Sequence, residues 1–497
     1  LAKVILYKKL ALAESGAFGL AYALATTFVL FAELGLRGYV AREMSRLRVA
    51  DAAAAQELFT TTVYLRLLLA ILVIPVALVG VWCAGYDSRL LLLFAALLLF
   101  AILDSFAVLL KAVFRAYGRM TLDAGTSVLS RFALLIMLIP ALFRGIELEQ
   151  VGPVFVAAAL LECVILMVLV QRLLPLRLRA RIPEMASLRT VFLRSLPFAF
   201  LVAIGILYLR TGVFALSKID VLRDWMPWPP DSVPWHSASS AYDAVAWFTA
   251  AARIPEALSF LPIAVINAFI PFFSRNAAQP EQIQKTFTTL LLYLGLTGII
   301  IAFALMAEPK FILTLIANTE FFPAAPTVRI LAATLPVTFV SYIFANLLIC
   351  LGEERLVMRR YLCIFALNIV LNCFFVPVWG ATGAALALAG SEVRALIIDS
   401  FALYRKRIRI PALVTGTLAG VIVPLGLILA VTRELAPLAR ILMVLCGGCL
   451  IFLALAWMRD RDTLVAVISR ARIRLASCQS ADTGRLGQTD ASGPPPA

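Results

Sequence analysis

Apolar stretches long enough to cross a bilayer follow one another along nearly the whole chain, separated by short polar breaks. A spanning helix needs about 20 mostly apolar residues. Such stretches fall near 18–34, 58–84, 90–110, 121–143, 150–170, 190–216, 241–273, 287–307, 325–351, 356–376, 381–403, 411–431 and 437–458. They predict about thirteen membrane-spanning helices, with little chain left for soluble domains. Residues 4–13 are too short and too charged to span.

Composition agrees with this pattern. The 497 residues are 62% hydrophobic and 15% charged, with a mean hydropathy of +0.96. Soluble domains sit near 45–50% apolar and about 25% charged. The expected fold class is therefore all-α, a polytopic membrane protein. No cleavable signal is visible at the start.

The net charge of +15 invites a nucleic-acid reading, but the placement of the charges defeats it. Basic residues cluster in alternate loops: Arg37 to Arg48, Lys111/Arg115/Arg119, Arg172 to Arg181, Arg355/Arg359/Arg360, Arg405 to Arg409, and Arg459 to Arg474. This is the positive-inside pattern, which puts those loops and the C-terminus in the cytoplasm. Breaks at 85–89, 144–149, 217–240, 308–321, 377–383 and 432–436 then face the other side. The break at 217–240 carries Trp225, Trp228 and Trp235, suited to an interfacial belt or to stacking on sugars.

Little points to enzyme chemistry. The eight cysteines read as small buried hydrophobes. Cys446 and Cys449 lie one turn apart without a nearby His, so no metal site is expected. His236 is the single histidine, which excludes a histidine relay. There is no Walker loop and no HExxH, so no cofactor is expected.

The chain repeats itself. Residues 109–119 end one span and open the next around Gly118, and residues 347–355 do the same around Gly352. Downstream, each copy has a small-residue helix with an intramembrane glutamate, Glu162 and then Glu392. Transporters built on such repeats hold substrate between the halves near mid-membrane. The reading divides the chain into a first bundle (1–188), a second bundle (189–408), an added helix pair (409–458) and a tail (459–497). Within the tail, 463–475 reads as amphipathic and the end as disordered.

Charges inside spans are costly and mark functional candidates. Arg253 and Glu256 share a helix face in the small-residue run that begins at Ala250. Arg131 and Arg210 sit deep in their spans, whereas Arg66 and Arg394 are expected to snorkel toward headgroups. Asp104 and Asp399 are further charges within spans. Pro255, Pro262 and Pro271 each remove a helix hydrogen bond, and Pro255 and Pro262 are candidates for a gating bend.

Several segments together resemble a known family. They are the Glu14–Gly19 turn, Ala41–Arg46, the run Ala250–Glu256, and the stretch 322–407 with Asn372, Pro377, Gly380 and the run Ala381–Ala385. The layout is similar to bacterial polysaccharide exporters, the polysaccharide branch of the multidrug/oligosaccharidyl-lipid/polysaccharide exporter superfamily. The resemblance implies about fourteen helices, with the first truncated here, in two pseudo-symmetric six-helix bundles plus a C-terminal helix pair. It implies alternating access that flips a polyprenyl-diphosphate-linked oligosaccharide across the bacterial inner membrane for surface polysaccharide assembly. Arg253, Arg210, Arg131 and Glu256 would line the cavity. Membrane potential would drive the step; if H+ or Na+ is coupled, Glu162, Glu392 and Asp399 are the candidates. Partners would be the lipid-linked oligosaccharide, membrane lipids and other polysaccharide assembly proteins. A multidrug/cation antiporter shares the fold, but the excess of Arg in the spans argues against cationic drugs. A membrane-embedded glycosyltransferase or polymerase would need a larger extramembrane loop than this chain has.

Overall fold

The computed structural model describes residues 2–143, 148–178, 183–225, 240–277, 279–455, 457 and 458. The Trp-rich break beyond Trp225 and the tail from 459 lie outside the described residues. Every regular element among the described residues is helical. The first half holds α1 (Ala2–Lys9), α2 (Leu12–Glu33), α3 (Leu36–Ala50), α4 (Ala52–Cys83), α5 (Ser88–Ala116), α6 (Met120–Phe143) and α7 (Leu148–Leu173). After it come α8 (Met185–Ser217), α9 (Ile219–Trp225), α10 (Ala241–Leu258), α11 (Phe260–Arg275) and α12 (Pro280–Ala307). The chain continues with α13 (Pro309–Ile316), α14 (Ala325–Cys350), α15 (Glu354–Arg405) and α16 (Ala412–Val431). The last is α17 (Pro437–Leu455).

Eleven of these helical segments are long and apolar enough to cross a membrane. Each apolar run read in the sequence falls on a helix, including α8. The long α15 is two spans. Gly380 leaves helical geometry (φ 51°, ψ −129°), and cross-limb contacts show that the chain turns back there. Arg360 meets Asp399, Arg394 Nη1 donates to the Cys363 carbonyl, and Asn368 donates to Ser391. Large apolar side chains such as Ile71, Ile136, Val423 and Val431 are more than half exposed, forming the lipid-facing surface. The cysteines correct the sequence reading: Cys163 is buried, but Cys363, Cys446 and Cys449 are exposed, because the outer surface of a span is itself apolar.

The repeat is visible in three structural motifs. α5 and α14 both end in a Schellman cap at a glycine of positive φ, Gly118 (φ 74°) and Gly352 (φ 79°). The bonds correspond one to one: Gly118 N to Arg115 O and Arg119 N to Phe114 O, then Gly352 N to Ile349 O and Glu353 N to Leu348 O. Second, Gln56 grips the backbone of Arg177, its Oε1 accepting from Arg177 N at 2.8 Å while its amide donates to the Arg177 carbonyl. Gln284 grips Arg409 with the same pair of bonds, at 2.8 and 2.7 Å. The surrounding sequences, QELFTT and QKTFTT, carry that signal. Third, a span breaks in each half: α2 and α3 part at Leu34–Gly35, both of positive φ, and α10 and α11 part at Ser259.

The first of these breaks explains Arg66. It is 1% exposed; its Nη1 donates to the Ala32 carbonyl at 2.7 Å and its Nη2 donates to Ser105. Ser105 in turn donates to Glu33 at 3.1 Å. The expected snorkelling does not occur, because the break frees carbonyls at the end of α2 that a guanidinium satisfies inside the bundle.

Three apolar cores set the shape. One joins residues of α3, α4, α5 and α7, with Leu188 and Val191 at the start of α8. A second joins α11, α12, α14, α15, α16 and α17. The first lies toward the basic ends of its helices, the second runs the length of α12 from Ile283 to Ala307, and neither bridges the halves beyond the first two turns of α8. The third lies toward the opposite ends and joins both halves, combining α2, α4, α5, α6 and α7 with α8, α10, α14 and the middle of α15. The molecule is therefore closed at one end and divided at the other.

Closure rests on α2 against α10. A Cβ on Gly16 would stand 1.9 Å from the Tyr242 carbonyl, and one on Gly19 would stand 3.0 Å from Thr249. Absent side chains let the backbones approach, as small residues do between membrane helices. Polar bonds flank this seam. Leu12 N donates to Glu320 Oε2 at 3.1 Å, and Trp247 donates to the Glu320 carbonyl at 3.1 Å. Lys218 Nζ lies over the Tyr86 ring at 4.1 Å and donates to the Ala84 carbonyl at 2.6 Å.

Gly16→Ala should force α2 from α10 and lower stability by about 1–3 kcal/mol, as overpacking does. Gly125→Ala, where nothing lies within 4 Å of the new Cβ, should be neutral or slightly stabilising. Thermal unfolding of the detergent-solubilised protein checks both; equal stability of the two variants would contradict the seam.

Candidate functional site

Past Gly19, α2 and α10 part toward the basic end, and polar side chains gather where they diverge. On α10 the residues from Asp243 to Ala251 are buried, whereas those from Ala252 to Glu256 are partly open. The one-turn spacing sets Arg253 and Glu256 on the same face, with Arg253 Nη1 2.7 Å from Glu256 Oε2. Arg210, reaching from α8, brings its Nη1 to 3.7 Å from the other carboxylate oxygen. The Tyr22 ring of α2 lies against both cations, its centroid 5.8 Å from the Arg253 guanidinium carbon and 6.0 Å from that of Arg210. These contacts fall in cation–π range. A small cavity of about 10 Å³ borders Arg210, Arg253, Glu256 and Thr249.

Arg131 belongs to the same neighbourhood. It is exposed on α6, within electrostatic reach of Tyr22 and of Asp104 on α5. The sequence-predicted cavity residues Arg253, Arg210 and Glu256 are thus in direct contact, with Arg131 across from them. Tyr22, which completes the group, was not singled out by sequence. Its signal was a lone tyrosine in a run of mostly small residues, AYALATT.

Three further intramembrane acids, Glu162, Asp399 and Glu392, lie elsewhere and are partnered. Glu162 on α7 pairs with Lys111 of α5 at 2.5 Å. Asp399 pairs with Arg360 across the α15 hairpin at 3.1 Å. Glu392 accepts from the Tyr208 hydroxyl of α8 at 2.9 Å. Lys111 and Arg360, counted in the sequence with the basic loops, are 8% and 5% exposed. Each lies at a span end where a charge reads as cytoplasmic, yet a buried acid on the neighbouring helix draws it inward. Glu162 and Glu392 sit on corresponding helices but bind different partners, so the repeat is not carried into their chemistry.

The prolines bracket the break in the site helix. Pro255 precedes and Pro262 follows Ser259, where α10 ends and α11 begins. Ser259 Oγ donates to the Glu256 carbonyl at 2.7 Å, holding the last turn of α10. Glu256 therefore sits on the last turn of α10, next to the break.

Lys111→Met should leave the Glu162 carboxylate buried without its cation and destabilise the protein by about 3–5 kcal/mol. Adding Glu162→Leu should recover most of that loss, as replacing both members of a buried pair commonly does. Melting temperatures of the single and double variants decide it.

No curated protein sequence matches the chain. Among solved structures, the chain is similar to an inward-facing multidrug resistance MATE family transporter of the MOP superfamily, with TM-score 0.69 and 16% identity over 82% of this chain and 93% of that one. It is similar to the lipid II flippase MurJ in an inward closed conformation, with TM-score 0.64 and 12% identity over 91% of this chain and 97% of that one. A MOP superfamily transporter from Pyrococcus furiosus gives TM-score 0.55 and 15% identity over 82% and 90% of the two chains. At these identities the likeness is one of fold, that of the MOP transporters and flippases. The polysaccharide biosynthesis protein family matches residues 3–277. A chain of membrane-spanning helices in this fold, matched by that family over more than half its length, is a member of the polysaccharide biosynthesis protein family.

Proposed function

We propose that this protein flips a polyprenyl-diphosphate-linked oligosaccharide across the bacterial inner membrane by alternating access between its two halves. The carrying observation is the charge at the apex of the cleft, where Arg253 and Arg210 share the single carboxylate of Glu256 beneath the Tyr22 ring. An excess of guanidinium at mid-span suits an anionic group, since its planar fork matches phosphate oxygens. It opposes a cationic drug, which disfavours the antiporter alternative.

The positive-inside pattern puts the divided end of the molecule in the cytoplasm, together with the C-terminus. The cleft is then open to the inner leaflet, where a lipid-linked substrate is made. The headgroup would enter between the halves and reach the apex, while the polyprenyl tail stays in lipid. Separation of α2 from α10 and closure of the basic ends would release it outward. A diphosphate carries about two negative charges, and 100 mV acts on each with about 2.3 kcal/mol. With the cytoplasm negative, outward movement is favoured by roughly 4–5 kcal/mol, so ion coupling is optional. Of the three acids suited to coupling, Glu162 and Asp399 are held by cations. Glu392, bound to a neutral tyrosine, is the one best placed to take up H+.

Arg253→Ala should abolish surface polysaccharide export while the protein still reaches the membrane. Arg253→Lys should restore export only in part, because a point charge cannot form the bidentate fork. Export is read by polysaccharide blot against membrane protein level; full export by the alanine variant would remove Arg253 from the site.

A further inference from the structure

We infer that Glu256 is a tethered counter-anion, which occupies the two guanidinia while the carrier is empty and yields them only to a group more negative than itself. This rests on the diphosphate reading of the site and adds a selection rule to it. The carboxylate joins two helices: one oxygen is 2.7 Å from Arg253 of its own helix, and the other is 3.7 Å from Arg210 of α8. The second distance is too long for a hydrogen bond, so this contact opens first.

Exposure sets the order in which the three groups are met. Glu256 is the most accessible of them, its side chain 35% exposed against 23% for Arg253 and 16% for Arg210. A ligand arriving from the cleft therefore meets the carboxylate before it meets the cations.

Without an internal anion, an empty carrier would hold two unneutralised guanidinia inside the membrane span, which is costly. Glu256 supplies one negative charge against two positive ones. A diphosphate offers more charge and several oxygens to both forks at once, and its displacement of the carboxylate is favourable. A monoanionic phosphodiester, such as phosphatidylglycerol, only matches the charge already there. It also gives up the tether that keeps Glu256 one helical turn from Arg253. The site thus rejects the abundant monoanionic phospholipids of the same leaflet. Once displaced, the carboxylate is repelled by the diphosphate toward the break at Ser259, where α10 is interrupted between Pro255 and Pro262.

The test titrates the full-length protein in detergent with a fluorescent polyprenyl diphosphate, with phosphatidylglycerol as competitor. Wild type should bind the diphosphate and resist phosphatidylglycerol. Glu256→Gln should bind the diphosphate about tenfold more tightly and become sensitive to phosphatidylglycerol. Glu256→Asp, shorter by one methylene, should keep Arg253 and lose Arg210, giving intermediate affinity; it also serves if the glutamine variant does not fold. Wild-type binding that both variants leave unchanged or weaken would overturn the counter-anion role alone. No diphosphate binding by wild type or either variant would overturn the headgroup reading, and this role with it.

Discussion

Inside a bilayer no water stands ready to satisfy a charge or a freed backbone group, and this constraint organises the whole molecule. Several charges within spans are tied to a partner on a neighbouring helix or limb. Arg66 ties off the end of α2, Lys111 and Arg360 each hold an acid of a neighbouring helix, and Arg440 holds Glu308 at 2.6 Å. Arg253 and Arg210 differ, for the two of them share the one carboxylate of Glu256. The same rule that makes the first group structural makes the second the candidate site.

The position of that site follows from helix packing. Gly16 lets α2 lie against the backbone of α10, and an apolar core surrounds their contact. Farther along, no core bridges the halves beyond the first two turns of α8, and the helices separate. Polar side chains at the point of divergence face open space without leaving the membrane. A cleft with a closed apex is the geometry an alternating carrier requires on one side of its cycle, and the broken spans at Leu34–Gly35 and Ser259 lie on its two walls.

Pseudo-symmetry governs the scaffold more than the chemistry. The Schellman turns at Gly118 and Gly352 and the glutamine clamps of Gln56 and Gln284 are nearly superimposable in their bonding. The turns join spans within each bundle and the clamps hold the chain where it leaves one, backbone tasks that both halves share. The acids do not follow the repeat: Glu162 faces a lysine and Glu392 a tyrosine. Duplicated frames with diverged polar interiors let each half carry a different load.

The sequence by itself determined the spans, the glycine turns and the family likeness, because bilayer crossing and helix caps depend on residues close together in the chain. It also brought forward Arg253, Arg210, Arg131 and Glu256, since a charge in an apolar run is conspicuous wherever it points. Only the tertiary structure decided which charges were free to act. Lys111 and Arg360 read as members of basic loops until the helices carrying Glu162 and Asp399 were packed beside them. Arg66 read as a snorkelling residue until the break in α2 exposed a carbonyl to it. Tyr22 carried only the faint signal of a lone tyrosine among alanines, because an aromatic ring becomes part of a site only when a distant helix sets cations on its face. Local patterns fix where the chain crosses the membrane; the pairing of charges is a long-range choice, made by which helices the bilayer forces together.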